Sequence, residues 1–305
     1  MLGSLQDAED LVQESLLRAW QKLGTFEGRA SFRAWLYKIA TNACLDALDR
    51  RPRRTLPPAR APSADPSAPP AGPVSEPIWI EPFPDDFLDE ASPTPEAKYD
   101  AHESITLAFL SALQALPPRQ RAVLILCDVL EWQADEAART LDMTASSVSS
   151  ALHRARVTLA KSYRSGDLAS MSPEPRDERT RSLLSRYVRA WENADIDALV
   201  DLLKDDATFS MPPYPSWYRG KIAIREFIRT EILAGRAQSP FRFMPTRANG
   251  RPAFGWYRLD DSDHRFHGFA IQVLGLEGES ISDIATFMDP RLLARFGLPD
   301  ALEAR

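Results

Sequence analysis

The residues best equipped for chemistry cluster in Leu116–Arg156, LPPRQRAVLILCDVLEWQADEAARTLDMTASSVSSALHRAR. Hydroxyls at Thr144, Ser146, Ser147, Ser149 and Ser150 come first, followed by His153, Arg154 and Arg156. Small polar groups can read base edges and cations can meet phosphates, so this order suits a helix entering a major groove by its N-terminus. The same pattern also fits a helical hairpin whose only task is packing. A second polar set, Arg33, Lys38, Asn42, Asp46, Arg50 and Arg51, lies along another helix on the faces left free by its apolar stripe. A third candidate group is C-terminal: His264, His267, Asp283 and Asp289, with the aromatics Tyr214, Trp217, Tyr218, Trp256 and Tyr257. Histidine and aspartate can act as acid and base, yet no compact His/Asp spacing here requires catalysis. The two cysteines, Cys44 and Cys127, each sit in an apolar helical stretch and read as reduced core residues.

The elements that must position these groups follow from periodicity. Apolar residues recur at three- and four-residue steps over 5–23, predicting an amphipathic helix. A glycine-flanked loop over 25–30 leads to a second helix over 31–50, with Phe32, Trp35, Leu36, Ile39, Ala43 and Leu48 on its apolar side, which Pro52 stops. Helical periodicity returns over 95–116, then over 119–129 and 133–140. A tight break at Leu141-Asp142-Met143 follows, Thr144 is an N-cap, and a helix runs to about Tyr163. Helices are expected over 179–193, 195–204 and 221–234, and strands over 241–246, 253–259, 266–274 and 280–288.

Composition bounds the rest. The chain has 305 residues, a net charge of −6, 44% hydrophobic and 26% charged residues, as expected of two or three globular domains. No apolar run is long enough to span a bilayer and the start does not resemble a signal peptide, so a cytoplasmic protein without a membrane partner is expected. Charge is uneven: +3 over 1–60, −8 over 61–100, +1 over 101–165 and −2 over 166–305. Residues 52–95 hold 13 of the 25 prolines, predicting an extended or disordered tether. Within it, Trp79, Ile80, Phe83, Phe87 and Leu88 alternate with acids, which suggests that it docks somewhere.

The motif LPPRQRAVLIL followed by a helix-turn-helix and LHRAR resembles region 4 of the extracytoplasmic-function (ECF) sigma factors of bacterial RNA polymerase. Residues 5–54, LQDAEDLVQESLLRAWQKLGTFEGRASFRAWLYKIATNACLDALDRRPRR, resemble region 2 of the same family. The resemblance implies a factor that binds core RNA polymerase and directs promoter-specific initiation. Asp10, Gln13, Glu14 and Arg18 would face the polymerase. Arg29, Arg33, Trp35, Lys38, Asn42, Asp46, Arg50 and Arg51 would open and read the minus-ten element, where a flipped base is pocketed. The net charge of +5 over 29–54 suits an unwound strand. Thr144, Ser146, Ser147, Ser149, Ser150, His153, Arg154 and Arg156 would read the minus-35 element. Two departures stand out. Met1–Ser4 match the end of the family's first helix, so the chain is expected to start inside region 2. Ser149 and Ala151 stand where members often carry cations, so readout leans on the serines and His153. The resemblance also implies that PFPDDFLDE lies in the polymerase's active-site and RNA-exit channel.

Residues 177–305 resemble the SnoaL-like fold on RYVRAWENADIDALVDLLKDDATFSMPP, WYRGKIAIREFI and the late strands. The expected fold class is therefore multi-domain: two all-α domains, then an α+β cone-shaped barrel. Its divisions are region 2 over 1–54, a linker over 55–95, region 4 over 96–165, a linker over 166–176, and the SnoaL-like domain over 177–305. Pocket candidates are Trp191, Met211, Tyr214, Trp217, Tyr218, Trp256, Tyr257, His264, His267, Asp283 and Asp289. The C-terminal domain is expected to regulate the sigma blocks in cis, with a small-molecule ligand possible in its pocket, no catalytic residue, no cofactor and no metal. The alternatives are a SnoaL-like enzyme and a ligand-responsive DNA-binding regulator.

Overall fold

The computed structural model describes residues 1–28, 30–50, 53–59, 61–74, 79–87, 107–164, 178–234 and 240–303. The chain divides into two compact units: Met1–Thr55 with Leu107–Ala169, and Leu56–Thr106 with Ser170–Arg305.

The first unit is helical. Helix α1 (Leu5–Lys22) starts at Ser4, whose hydroxyl accepts from the Asp7 amide, and α2 (Phe32–Arg50) packs on it. Helices α3 (Leu107–Ala115), α4 (Pro118–Leu124, continued by a π turn Ile125–Val129), α5 (Ala134–Leu141) and α6 (Ala145–Arg164) follow. Asp142 adopts a left-handed conformation (φ 53°) and closes the turn between α5 and α6, as a short polar side chain can. Thr144 caps α6 by accepting from the Ser147 amide at 3.2 Å. The predicted stretch before Leu107 lies outside the described residues. The stripes on the first two helices pack only in part. Ser15 and Ala19 of α1 and Thr41 and Ala43 of α2 are buried, whereas Val12, Leu16, Leu17, Trp20, Leu23 and Phe32 are exposed. Phe32 thus departs from its expected core position, stacking instead edge-on to Phe26 in the loop.

Arg121 carries weight that its charge conceals. It is 1% exposed, and its guanidinium donates to the Gln114 and Leu116 carbonyls, the Gln114 side chain and the Met1 carbonyl at 2.6–3.2 Å. It thereby satisfies the open carbonyl end of α3. Burial, with Arg53 nearby, lowers its pKa to about 10.

The second unit is a sheet with helices. Helix α7 (Glu178–Glu192) and α8 (Ile196–Asp201) precede β1 (Leu203–Ser210), β2 (Trp217–Arg219) and α9 (Lys221–Phe227, with a π turn Ile228–Ile232). Then come β3 (Phe241–Ala248), β4 (Arg251–Asp260), β5 (Arg265–Glu277), β6 (Ser280–Phe287), α10 (Arg291–Arg295) and β7 (Ala301–Glu303). The order is β2-β1-β6-β5-β4-β3, with β7 on β5 and β1–β6 the parallel pair. The sheet is open, ending at β2 and β3, and with its helices forms the expected α+β domain. Strands β1, β2 and β7 add to the four expected from the sequence, and residues 203–204, expected to end a helix, open β1. Thr180, Leu183, Tyr187, Ala190 and Trp191 form a helical stripe on α7 that meets Phe241, Phe243, Phe254 and Trp256 from β3 and β4 in one aromatic core. Within that core, the Tyr187 hydroxyl donates to Gln272, whose amide donates to Thr286.

Among its described residues the linker holds a short 3-10 turn, Pro57–Ala59, between irregular stretches. Trp79 and Ile80 of the linker are buried within the second unit.

Candidate nucleic-acid interface and linker anchor

Helix α6 presents one continuous polar face. Ser146, Ser147, Ser149, Ser150, His153 and Arg154 are exposed, while Val148, Ala151, Ala155 and Leu159 are buried on the opposite side. The spacing of three and four residues does both jobs at once. Thr144, Ser146 and Ser147 share a hydroxyl cluster at the helix start, and Ser149 bonds back to the Ala145 carbonyl. Arg156 is also exposed, but its guanidinium forms a two-pronged pair with Asp128 at 2.7 and 3.0 Å, which raises its pKa.

On the first block, Asp10, Gln13 and Glu14 are exposed along α1, and Arg18 pairs with Glu14 at 2.5 Å and with Asp46 of α2 at 3.8 Å. Asn42 and Arg50 are exposed, and Trp35 packs tilted against Phe26 and Phe32 with centroids 5.3 and 5.5 Å away around the loop. Arg29 and Arg51 lie outside the described residues. A cleft of about 550 Å³ opens beside this loop, lined by Thr25–Gly28, Ala30, Ser31, Ala34, Trp35 and Lys38, and on its other wall by Glu136, Arg139 and Thr140 of α5. Lys38 reaches Asp142 at 2.6 Å, and Arg33 lies over the rings of Tyr37 and Trp132, 5.7 Å from each centroid.

In the second unit, the linker is anchored at several points. The Ala64 amide donates to the Trp217 carbonyl and the Trp217 indole to the Ala61 carbonyl, both at 2.8 Å. The Trp79 indole donates to the Pro213 carbonyl at 3.1 Å. Phe83 and Asn249 exchange two bonds of 2.9 Å, and Asp85, 2% exposed, accepts from the Gly250 amide and pairs with Arg247. Asn249 (φ 56°) and Gly250 (φ 71°) form the left-handed turn between β3 and β4 that aims these groups at the linker. Leu88, Asp89 and Glu90 lie outside the described residues.

The pocket candidates scatter. Trp191 and Trp256 are core, with centroids 5.2 Å apart, Met211 belongs to the same core, and Tyr214 packs against it. Tyr218 stacks on Phe227 at 4.1 Å, and burial pushes its phenol up to about 12. Tyr257 donates to the Pro299 carbonyl at 2.8 Å, and Trp217 holds the linker. His264 sits in a turn with φ 56°, and Asp289 grips Arg291 at 2.7 Å. His267 is exposed and bonded to Asp263 at 2.7 Å, an interaction that leads the lowering of the Asp263 pKa. Asp283 is instead held by Arg251 at 2.8 Å and by Ser282. Asp283 pairs with Gly275, eight residues along β5 from His267, or roughly 26 Å at strand rise. These two cannot act together as acid and base.

The comparisons decide the family. Residues 1–54 match the model of Sigma-70 region 2, 106–159 that of Sigma-70 region 4, and 184–284 that of the SnoaL-like domain. The ECF RNA polymerase sigma factor SigG of Mycobacterium tuberculosis is 43% identical over 302 residues, 99% of this chain and 80% of that one. This chain belongs to the ECF sigma factor family. SigE of Mycolicibacterium smegmatis, another ECF sigma factor, is 33% identical to it over 165 residues, about half of each chain. The crystal structure of SigJ of Mycobacterium tuberculosis shares the sigma factor's fold along its length, with a TM-score of 0.57, 21% identity and coverage of 98% and 92%. Among the described residues of this sigma factor, no helix is long and apolar enough to cross a membrane.

Proposed function

We propose that this ECF sigma factor, which binds core RNA polymerase and promoter DNA and directs initiation, is restrained in cis by its SnoaL-like domain through the linker between regions 2 and 4. One observation carries the reading: Ala61, Ala64, Trp79, Phe83 and Asp85 of the linker are bonded to that domain at Trp217, Pro213, Asn249, Gly250 and Arg247. Regions 2 and 4 contact two promoter elements, so a tether held at its middle limits how they separate. The PFPDDFLDE stretch must leave Asn249 and Arg247 to enter a polymerase channel. Release therefore accompanies engagement, and a ligand of the C-terminal domain acts only by preferring the held or released form. The exposed face of α6 reads the minus-35 element, α2 and its loop read the minus-ten element, and the exposed acids of α1 face the polymerase. The factor works in the cytoplasm with the polymerase and carries no catalytic role of its own.

The test is transcription in vitro with core polymerase, comparing the full chain with its Asp85→Ala and Trp79→Ala variants. Variants that free the linker raise transcript yield. Unchanged yield, with hydrogen exchange showing that the linker has been freed, removes the claim of restraint.

A further inference from the structure

Two of the groups assigned to the minus-ten element, Arg33 and Lys38, already have partners in region 4. Lys38 is paired with Asp142, the left-handed residue that turns α5 into α6. Arg33 lies over Trp132, and Tyr37 meets the same indole edge-on at 5.2 Å. Ala34 and Tyr37 pack on the apolar core of the helix-turn-helix. These four residues, at positions 33, 34, 37 and 38, form a single face at the start of α2. The cleft beside the loop is closed on its far side by Glu136, Arg139 and Thr140 of α5.

We infer that regions 2 and 4 latch onto each other in the free factor. In that state the α5–α6 turn and Trp132 cover the α2 face that receives the minus-ten strand, and α5 walls the loop cleft beside it, so the latch and the promoter exclude each other. The inference rests on the assignment of that face to the minus-ten element. The chemistry of the contact suits a latch rather than a weld. Asp142 is 71% and Lys38 39% exposed at the side chain, so water and salt screen the pair. A phosphate offers Lys38 an equivalent anion, and a base offers the Arg33 guanidinium an equivalent ring. The strand thus replaces each contact in kind.

The Lys38 ammonium and Asp142 carboxylate are close enough for carbodiimide coupling, in which water is lost and an amide joins the two side chains. The experiment treats the full chain with a water-soluble carbodiimide, free and in complex with core polymerase and promoter, and reads the 38–142 crosslink by mass spectrometry. The crosslink forms in the free chain, weakens as salt rises, and is lost in the promoter complex. Asp142→Asn, which keeps a residue tolerant of the left-handed turn, abolishes the crosslink and raises transcript yield at limiting factor by about two- to fivefold. Absence of the crosslink in the free chain, its persistence in the promoter complex, or an unchanged or lowered yield from Asp142→Asn overturns the latch. A wild-type chain that crosslinks when free but supports no transcript sinks the promoter assignment instead.

Discussion

The linker anchor and the contact between regions 2 and 4 hold their polar groups in opposite ways. In the C-terminal unit Asp85 is buried, paired with Arg247 and bonded to a backbone amide, and the Tyr187–Gln272–Thr286 chain is wholly enclosed. In the helical unit the Lys38–Asp142 and Arg156–Asp128 pairs are largely open to water, and Trp20 and Leu16 of α1 stand exposed. Buried polar contacts are costly to break because the orphaned partner stays dry, whereas exposed ones are exchanged cheaply for water or for another ligand. The difference separates a scaffold that grips from a surface that trades partners.

The largest effect that tests this contrast comes from two tryptophans. Trp191→Ala, at a position 1% exposed, lowers the stability of the C-terminal unit by about 3–5 kcal/mol in denaturant unfolding. Trp20→Ala, at a position 77% exposed, changes stability by no more than about 0.5 kcal/mol. Comparable losses at the two sites would break the comparison. Next comes the linker anchor: Asp85→Ala costs about 2–3 kcal/mol, because Arg247 and the Gly250 amide lose a charged acceptor. Hydrogen exchange at the Phe83 and Asn249 amides is the readout, and unchanged protection there contradicts the anchor.

Alkaline titration gives a graded check. Burial raises both Tyr218 and Tyr257 from 10 to about 12. For an acid raised in the folded state, the stabilisation is complete below pH 10 and is lost as pH climbs from 10 to 12. Each tyrosine contributes on the order of 2 kcal/mol to this loss. Absorbance of the tyrosinate at 295 nm should therefore rise together with unfolding of the C-terminal unit, and early ionisation in a folded domain argues against this burial. The smallest effect is at the open pair: Asp128→Ala shifts the unfolding free energy of the helical unit by less than about 1 kcal/mol. A loss of several kcal/mol there would show that the pair is not the exchangeable contact its exposure indicates.

Much of the helical unit was legible because its signals are local. The α6 face, the Thr144 cap and the break at Asp142 follow from spacing within one or two turns. Strand β1 was missed for the opposite reason: LKDDATFS has little alternation, and it is held as a strand by parallel pairing with β6, some 75 residues away. Arg121 stands in the LPPRQRAVLIL motif, but its structural role is not legible there, because it depends on the carbonyl end of α3 and on Met1. The linker aromatics signalled docking, but not where: the partners of Phe83 and Asp85 lie more than 160 residues along the chain.

The sequence by itself determined the order of the region 2, region 4 and SnoaL-like segments and the helix-turn-helix, and it offered candidates for DNA contact, since periodicity, capping and motif are properties of neighbouring residues. Only the tertiary structure decided which of those residues are already engaged. It placed Lys38 on Asp142 and Arg33 over Trp132, buried Asp85 against Arg247, and set His267 and Asp283 far apart on the sheet. Such pairings join groups distant in the chain, and their energies depend on burial and on distances that spacing along a sequence does not encode.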